Sequence, residues 1–481
     1  MKKIFLAFFL LIFITPVLAE ENNFIKNNGG INRIDVKKIV IFCQQESEFK
    51  KCLLNNILLT KKEILEVKKN KNKNLEKEIN FPDKNLEKVI REIIKKPSGN
   101  ILKSDVLKIK NLQNTSHANI SNLKGIENLE NLEILNLDHN LIKNIEPIKN
   151  LKKITGLVLS QNEIEDISVL ENLTNLEDLN LSENILNDDD LKHLKNLEKL
   201  RILVLNMNFF REIEILSNLK NLEELVLRNN YIQDISVLSN FKKLKALNIS
   251  YNNVKNIDVI KNLPNLIEFH AVNNPIKNVS FLKEKENLGI LNLLNTNVIG
   301  SLKRDKNYEI KEYEIFLKKI DEILSRIIKT DMNNFEKELA IHDFIIDNVE
   351  YDYVAEEEYE KNDGVFFDEN MTSEEIISSF NAKGALINKK AVCGGYSDAF
   401  DILLKFSDIE TKTIYGCAMG FHGWNLVKLD DDWYHVDVTF DDEYAKENDK
   451  YRYFNRTDEE MKNRKWIEKS YPKALGTKYR K

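Results

Sequence analysis

Residues 132–140 read LEILNLDHN, and the same frame returns six more times along the chain. Its closing asparagines fall at Asn140, Asn162, Asn184, Asn208, Asn230, Asn252 and Asn274, a spacing of 22 residues with a single interval of 24. A fixed period of this size, with leucines at constant offsets, predicts stacked turns that share one continuous core, each turn supplying one short strand. Leu132, Leu135 and Leu137 are the inward positions of the first full turn. Each asparagine sits where the chain bends, and its side chain can bond the open backbone of neighbouring turns. The longer interval coincides with Asp188-Asp189-Asp190, read as a small insertion off the strand face.

These are the features of leucine-rich repeats, and the 22-residue form is the more specific signal. NEIEDI at Asn162–Ile167 and NYIQDI at Asn230–Ile235 resemble internalin-type bacterial repeats. We assign the array to residues 120–300, with a last degenerate turn placing Thr296 at the asparagine position. A solenoid end exposes its core unless covered. Phe81-Pro82-Asp83, followed by an apolar stripe at Leu86, Val89, Ile90, Ile93 and Ile94, resembles the N-terminal cap of such arrays and sets a cap over 81–119. The stripe Phe316, Ile320, Ile323, Leu324 and Ile327 predicts a helix over Tyr313–Ile328 that closes the other end. Alternate strand positions point away from the core. Val158, Val204 and Val226 among them make a mildly apolar patch suited to a protein or peptide.

A second signal lies at 391–440. AVCGGYSDAF places Cys393 before Tyr396, Ala399, Phe400, Leu403 and Leu404, the spacing of a buried helix face. Cys393 is thereby expected at a helix N-terminus, where unpaired N–H groups and the helix dipole favour a thiolate and can receive an oxyanion. Phe421–Leu429 and Trp433–Phe440, rich in aromatic and β-branched residues, predict two strands with Asp430, Asp431 and Asp432 as the turn. A tight hairpin pairs Asp437 with position 424 or 425, two or three residues from His422, a gap for a bulge or altered turn to close. Cys393, His422 and Asp437 then make a nucleophile–base–orienter set. Zinc held by Cys393, Cys417, His422 and His435 is the competing reading, but their spacings are not the short paired kind. Cys417 and His435 are read as a buried strand residue and a hydrogen-bonded sheet histidine.

AVCGGYSDAF, HGWN at His422–Asn425 and WYHVDVTFDD around Asp437, with AIHDFIIDNVEYDY at Ala340–Tyr353 and Gly384–Leu386 upstream, resemble the transglutaminase-like superfamily. The resemblance implies the papain-type cysteine-protease core and a Cys393–His422–Asp437 acyl-transfer site. The fold expected is thus an α/β multidomain chain: a leucine-rich-repeat solenoid followed by an α+β transglutaminase-like domain over 301–481. Lys383 departs from the family pattern, in which bacterial relatives often carry an aromatic residue just before the glycine.

Met1-Lys2-Lys3, the apolar Ile4–Val17 and the small-residue pattern ending at Ala19 predict a signal peptide over 1–19 and an exported protein. Residues 20–80 read as an N-terminal segment and linker, with a strand at Val36–Phe42, a helix at Ser47–Leu59 and Cys43 and Cys52 as a disulfide candidate. With a net charge of −6 and 31% charged residues, nothing points to nucleic acid. We read no cofactor motif, no calcium-ligand motif and no transmembrane segment in the mature chain. The function expected is cysteine-dependent acyl transfer, as amide hydrolysis or protein cross-linking, guided by the repeats. The alternative is an adhesin-like binding protein whose catalytic fold has no turnover.

Overall fold

Nine strands of two or three residues stack in parallel, in sequence order, along one edge of the array: β1 (Asn111–Leu112), β2 (Ile134–Asn136), β3 (Gly156–Val158), β4 (Asp178–Asn180), β5 (Ile202–Val204), β6 (Glu224–Val226), β7 (Ala246–Asn248), β8 (Glu268–His270) and β9 (Ile290–Asn292). The computed structural model describes residues 76–113, 115–294, 305–361, 374–418, 421–466 and 471–481. The signal peptide, the elements expected within 36–59, the Cys43–Cys52 pair and Thr296 lie outside the described residues.

In register, Leu135, Leu157, Leu179, Leu203, Leu225, Leu247, Phe269 and Leu291 form one column, none more than 2% exposed. Each such side chain contributes about 1.5–3 kcal/mol by leaving water. The asparagines form a second column. Asn252, fully buried, accepts from the Ile232 N–H at 2.9 Å and donates to the Leu227, Ile249 and Ser250 carbonyls at 2.9, 3.0 and 3.3 Å. The residue before each asparagine takes the left-handed backbone that turns the chain, at His139, Gln161, Glu183, Met207, Asn229, Tyr251 and Asn273. Val158, Val204 and Val226 end their strands half-buried, on the face opposite the leucines.

Both ends are closed by side chains that satisfy stranded backbone groups. Asp83 caps α1 (Lys84–Ile94): Oδ1 accepts from Asn85 and Leu86, while Oδ2 accepts from the Ser121 and Asn122 N–H groups of the first turn at 2.8 and 3.0 Å. A short α2 (Lys103–Val106) follows. At the far end the closing helix α3 (Lys306–Ile327) begins seven residues earlier than its apolar stripe indicates. Its extra turns carry Glu309, fully buried, whose Oε1 accepts from Leu293 and Leu294 N–H at 2.8 and 3.0 Å. The stripe alone missed this, because a capping carboxylate leaves no periodic mark.

Beyond α3 the chain forms α4 (Asn334–Asn348), β10 (Glu350–Tyr351), α5 (Tyr353–Lys361), α6 (Glu374–Ser378), a π-helical turn at Gly384–Asn388, β11 (Lys390–Ala391), α7 (Cys393–Phe406), β12 (Thr411–Cys417), β13 (Phe421–Leu429), β14 (Asp432–Val436), α8 (Val438–Ala445) and β15 (Lys465–Trp466). The last four strands make an antiparallel sheet in the order β14-β13-β12-β15, against which α7 packs. Two expectations need correction. The strand expected over Trp433–Phe440 stops at Val436, because Asp437 caps a helix instead. Cys417 is exposed, since it ends β12.

Glu78–Lys481 is one compact unit, so the sheet domain is docked on the repeats. Its polar contacts use turn residues of the later repeats. The Tyr251 hydroxyl donates to Asp398 Oδ2 at 3.0 Å, Asn273 Nδ2 to Asp401 Oδ2 at 2.8 Å, and Lys405 Nζ to the Asn273 carbonyl at 3.1 Å. Val272 and Leu294, each two residues beyond the end of its strand, are buried beside Asp398 and Ile402 of α7.

Candidate active site

The helix that opens with Cys393 is aimed by what precedes it. β11 is held from both sides: Asp352 N–H donates to the Ala391 carbonyl at 3.0 Å and Val392 N–H to the Ser379 carbonyl at 2.9 Å. The chain then enters α7 with Cys393 as its first residue, half-buried and free. Only glycine fits at 395, since a Cβ there collides with the Ser379 carbonyl and comes within 2.7 Å of Ala391 Cβ. That tight passage fixes the first turn of the helix and with it the sulfur.

His422 and Asp437 arrive through the hairpin. Its turn is Asp430-Asp431, with φ +53° at Asp430, and Leu429 pairs with Asp432. The register sets Val436 opposite Asn425, so Asp437 comes one step nearer His422. No bulge closes the remaining gap. The chain leaves the sheet, and Asp437 becomes the N-cap of α8, its Oδ1 accepting from Phe440 N–H at 3.1 Å. Its Oδ2 then meets His422 Nε2 at 2.8 Å.

Asp437 has no exposed surface and His422 only 5%. Burial pushes the Asp437 carboxyl up, but the charge and hydrogen bond of His422, then those of Arg464, outweigh it and hold it at about 2. For His422 burial opposes the charge. The Asp437 carboxylate and hydrogen bonds to Asp437 and Cys393 prevail and raise it to about 10. With Nε2 taken by Asp437, Nδ1 is the nitrogen left for Cys393. The imidazole is also held by aromatic rings: Phe440 stacks on it at 4.5 Å and Trp424 at 6.1 Å.

Several residues in or behind this site were not singled out from the sequence as part of it. Arg464 pairs with Asp437 Oδ2. Tyr351 stands near enough for the Cys393 charge, after burial, to raise its hydroxyl. His435, read as a hydrogen-bonded sheet histidine, accepts from Trp424 Nε1–H at 2.9 Å, so its Nε2–H donates to Asp458 at 2.9 Å. His342 lies fully buried on α4, with Nε2 on Asp441 at 3.0 Å, and so ties α4 to the helix that Asp437 caps. Beside it burial pushes Glu338 up to about 8. The helical spacing of Glu338 and His342 was a usable signal for a shared face. Among the described residues, no group of three or more His, Cys, Asp or Glu is placed to hold a metal ion.

Two parts of the chain match known families. Residues 321–438 match the transglutaminase-like superfamily, and 198–240 and 220–262 match leucine-rich repeats. Over 134 residues the chain is 24% identical to the kyphoscoliosis peptidase of Homo sapiens and 23% to that of Mus musculus. That stretch is 25% of this chain and only 18% of either relative. Among solved structures, internalin C2 of Listeria monocytogenes is 32% identical, with 44% of this chain and 94% of that one covered at a TM-score of 0.41. Internalin F of the same organism is 28% identical, covering 44% and 82% at a TM-score of 0.28. The chain is a leucine-rich-repeat protein whose residues 321–438 belong to the transglutaminase-like superfamily.

Proposed function

We propose that this chain is an exported, cysteine-dependent acyl-transfer enzyme directed to protein substrates by its repeats. The sulfur of Cys393 attacks the carbonyl carbon of a side-chain or main-chain amide. His422 Nδ1 takes the thiol proton and passes it to the departing nitrogen as the C–N bond breaks, leaving a thioester. Water then releases an acid, or a lysine amine forms a new amide. In either case the incoming proton passes through His422 to the freed sulfur. Asp437 keeps the imidazole in the tautomer and orientation this requires. N–H groups of the first turn of α7 are suited to the oxyanion of each tetrahedral intermediate.

One observation carries the reading: Asp437 holds His422 Nε2 at 2.8 Å, which leaves the other ring nitrogen for the cysteine that opens a helix. Export rests on the apolar segment Ile4–Val17 behind Lys2 and Lys3. The half-buried Val158, Val204 and Val226 offer a face for an extended protein segment. The test is turnover of a glutamine-containing peptide library, with and without a labelled amine. Cys393→Ala should lose all turnover while keeping the wild-type unfolding curve. Full activity in that variant overturns the proposal.

A further inference from the structure

Residues 439–481 lie outside the segment that matches the superfamily, yet they supply a charge to its centre. Arg464 is 8% exposed. Its Nη1 pairs with Asp437 Oδ2, the same oxygen that receives His422 Nε2. Its guanidinium rests against the rings of Tyr453 at 4.5 Å, Phe440 at 4.6 Å and Trp424 at 5.5 Å. Two of those rings, Phe440 and Trp424, are the ones stacked on His422. Arg464 Nη2 is buried with no hydrogen-bond partner among the described residues. Burying a guanidinium with one end unsatisfied is costly, so the fold retains it for what the other end does.

We propose that Arg464 is a positioning residue for the acyl-transfer site, clamping Asp437 and the two stacked rings so that His422 faces Cys393. This rests on the catalytic reading above. A carboxylate with a single partner can swing about its Cβ–Cγ bond. Here Phe440 N–H holds one oxygen, and the other is shared between a ring nitrogen and a guanidinium that never loses its charge. The clamp keeps Asp437 ionised and spreads its charge over two partners. Its removal has two consequences of known sign. Asp437 becomes easier to protonate. His422, no longer sharing the carboxylate and relieved of a neighbouring cation, becomes harder to deprotonate. The other titratable groups facing this pair are Cys393 from α7, Asp441 from α8 and His435 from β14.

The experiment compares wild type, Arg464→Gln and Arg464→Lys in the full chain. The pH dependence of Cys393 alkylation by iodoacetamide and the titration of the His422 ring by NMR are both followed, with turnover wherever the wild type shows it. A fast-alkylating cysteine near neutral pH in the wild type supports the catalytic reading, and a slow one refutes that reading alone. Arg464→Gln should shift the His422 titration upward and cut kcat roughly 10- to 100-fold with little change in KM, the scale of a displaced catalytic group. Arg464→Lys, keeping charge but not the fork, should recover part of both and serves alone if the glutamine variant does not fold. An unmoved His422 titration in both variants overturns the role of Arg464. Loss of activity that tracks only loss of folded protein overturns it too.

Discussion

Replacing Lys405 by methionine tests whether charge, as well as shape, fastens the helix that opens with Cys393 to the repeats. Lys405 is 6% exposed, with Nζ 2.7 Å from the Asp401 carboxylate and 3.1 Å from the Asn273 carbonyl. Asp401 is 1% exposed, and its Oδ1 has no hydrogen-bond partner among the described residues. Methionine preserves the length of the side chain and removes its charge, stranding the carboxylate beside a single amide donor. Breaking one side of a buried pair costs about 3–5 kcal/mol, a large part of the about 5–15 kcal/mol that holds a domain folded. The three tryptophans, Trp424, Trp433 and Trp466, all lie in the sheet domain, so their fluorescence in a urea titration follows that domain. With a slope of about 1–3 kcal/mol per molar urea, the midpoint should fall by about 1 M or more. Adding Asp401→Leu removes the stranded charge, and the double variant should regain most of the loss. A single variant within about 0.5 kcal/mol of wild type, the range of ordinary surface changes, refutes the reasoning. A double variant no better than the single refutes it as well.

Two further outcomes follow from the geometry. Asn252→Ala leaves the Ile232 N–H and three carbonyls without their shared partner inside the solenoid, and should cost at least about 3 kcal/mol, read as a lower thermal midpoint. His422 is raised to about 10, so its pair with Asp437 stabilises the fold fully below 6.5 and loses that contribution as pH climbs through 10. Asp437, lowered to about 2, contributes above 3.8 and fails only in strong acid. The melting-temperature gap between wild type and His422→Leu should therefore shrink from about pH 7 to about pH 10, and a constant gap over that range rejects the ion pair.

What could be read beforehand was local or periodic. The repeats announce themselves because every turn solves the same problem with the same leucines and asparagine. The helix behind Cys393 and the two strands behind His422 carry their own spacing. The end of β14 was misread because Val438, Thr439 and Phe440 suit a strand, while a single capping bond from Asp437 sends them into a helix. Arg464 was invisible for a different reason. It stands 27 residues from its partner, in a stretch without period or motif, and only folding brings it there. The buried Val272 and Leu294 make the same point: nothing local marks them, and the docked α7 covers them.

Docking on a solenoid raises a problem that apolar contacts alone do not solve. A surface repeating every 22 residues offers nearly the same leucine-backed edge at each step, so a purely apolar partner could settle one repeat up or down. The polar contacts break that degeneracy. The position before the ladder asparagine is His139, Gln161, Glu183, Met207, Asn229, Tyr251 and Asn273 in turn, and only Tyr251 carries a hydroxyl long enough to reach Asp398. Asn273, one turn on, engages Asp401 and Asp398 together, at 2.8 and 3.4 Å. One turn back, Tyr231 follows Asn230 and takes Lys412 over its ring at 4.3 Å. Three consecutive turns thus present three different side chains to three fixed partners, and a shift by one repeat would mismatch all of them. Burial pushes Asp398 up to about 7, with Asp401 adding to it, so this choice of register is made with a carboxyl whose charge is itself costly. A protein that accepts that cost within the helix opened by Cys393 has tied the placement of that cysteine to particular repeats.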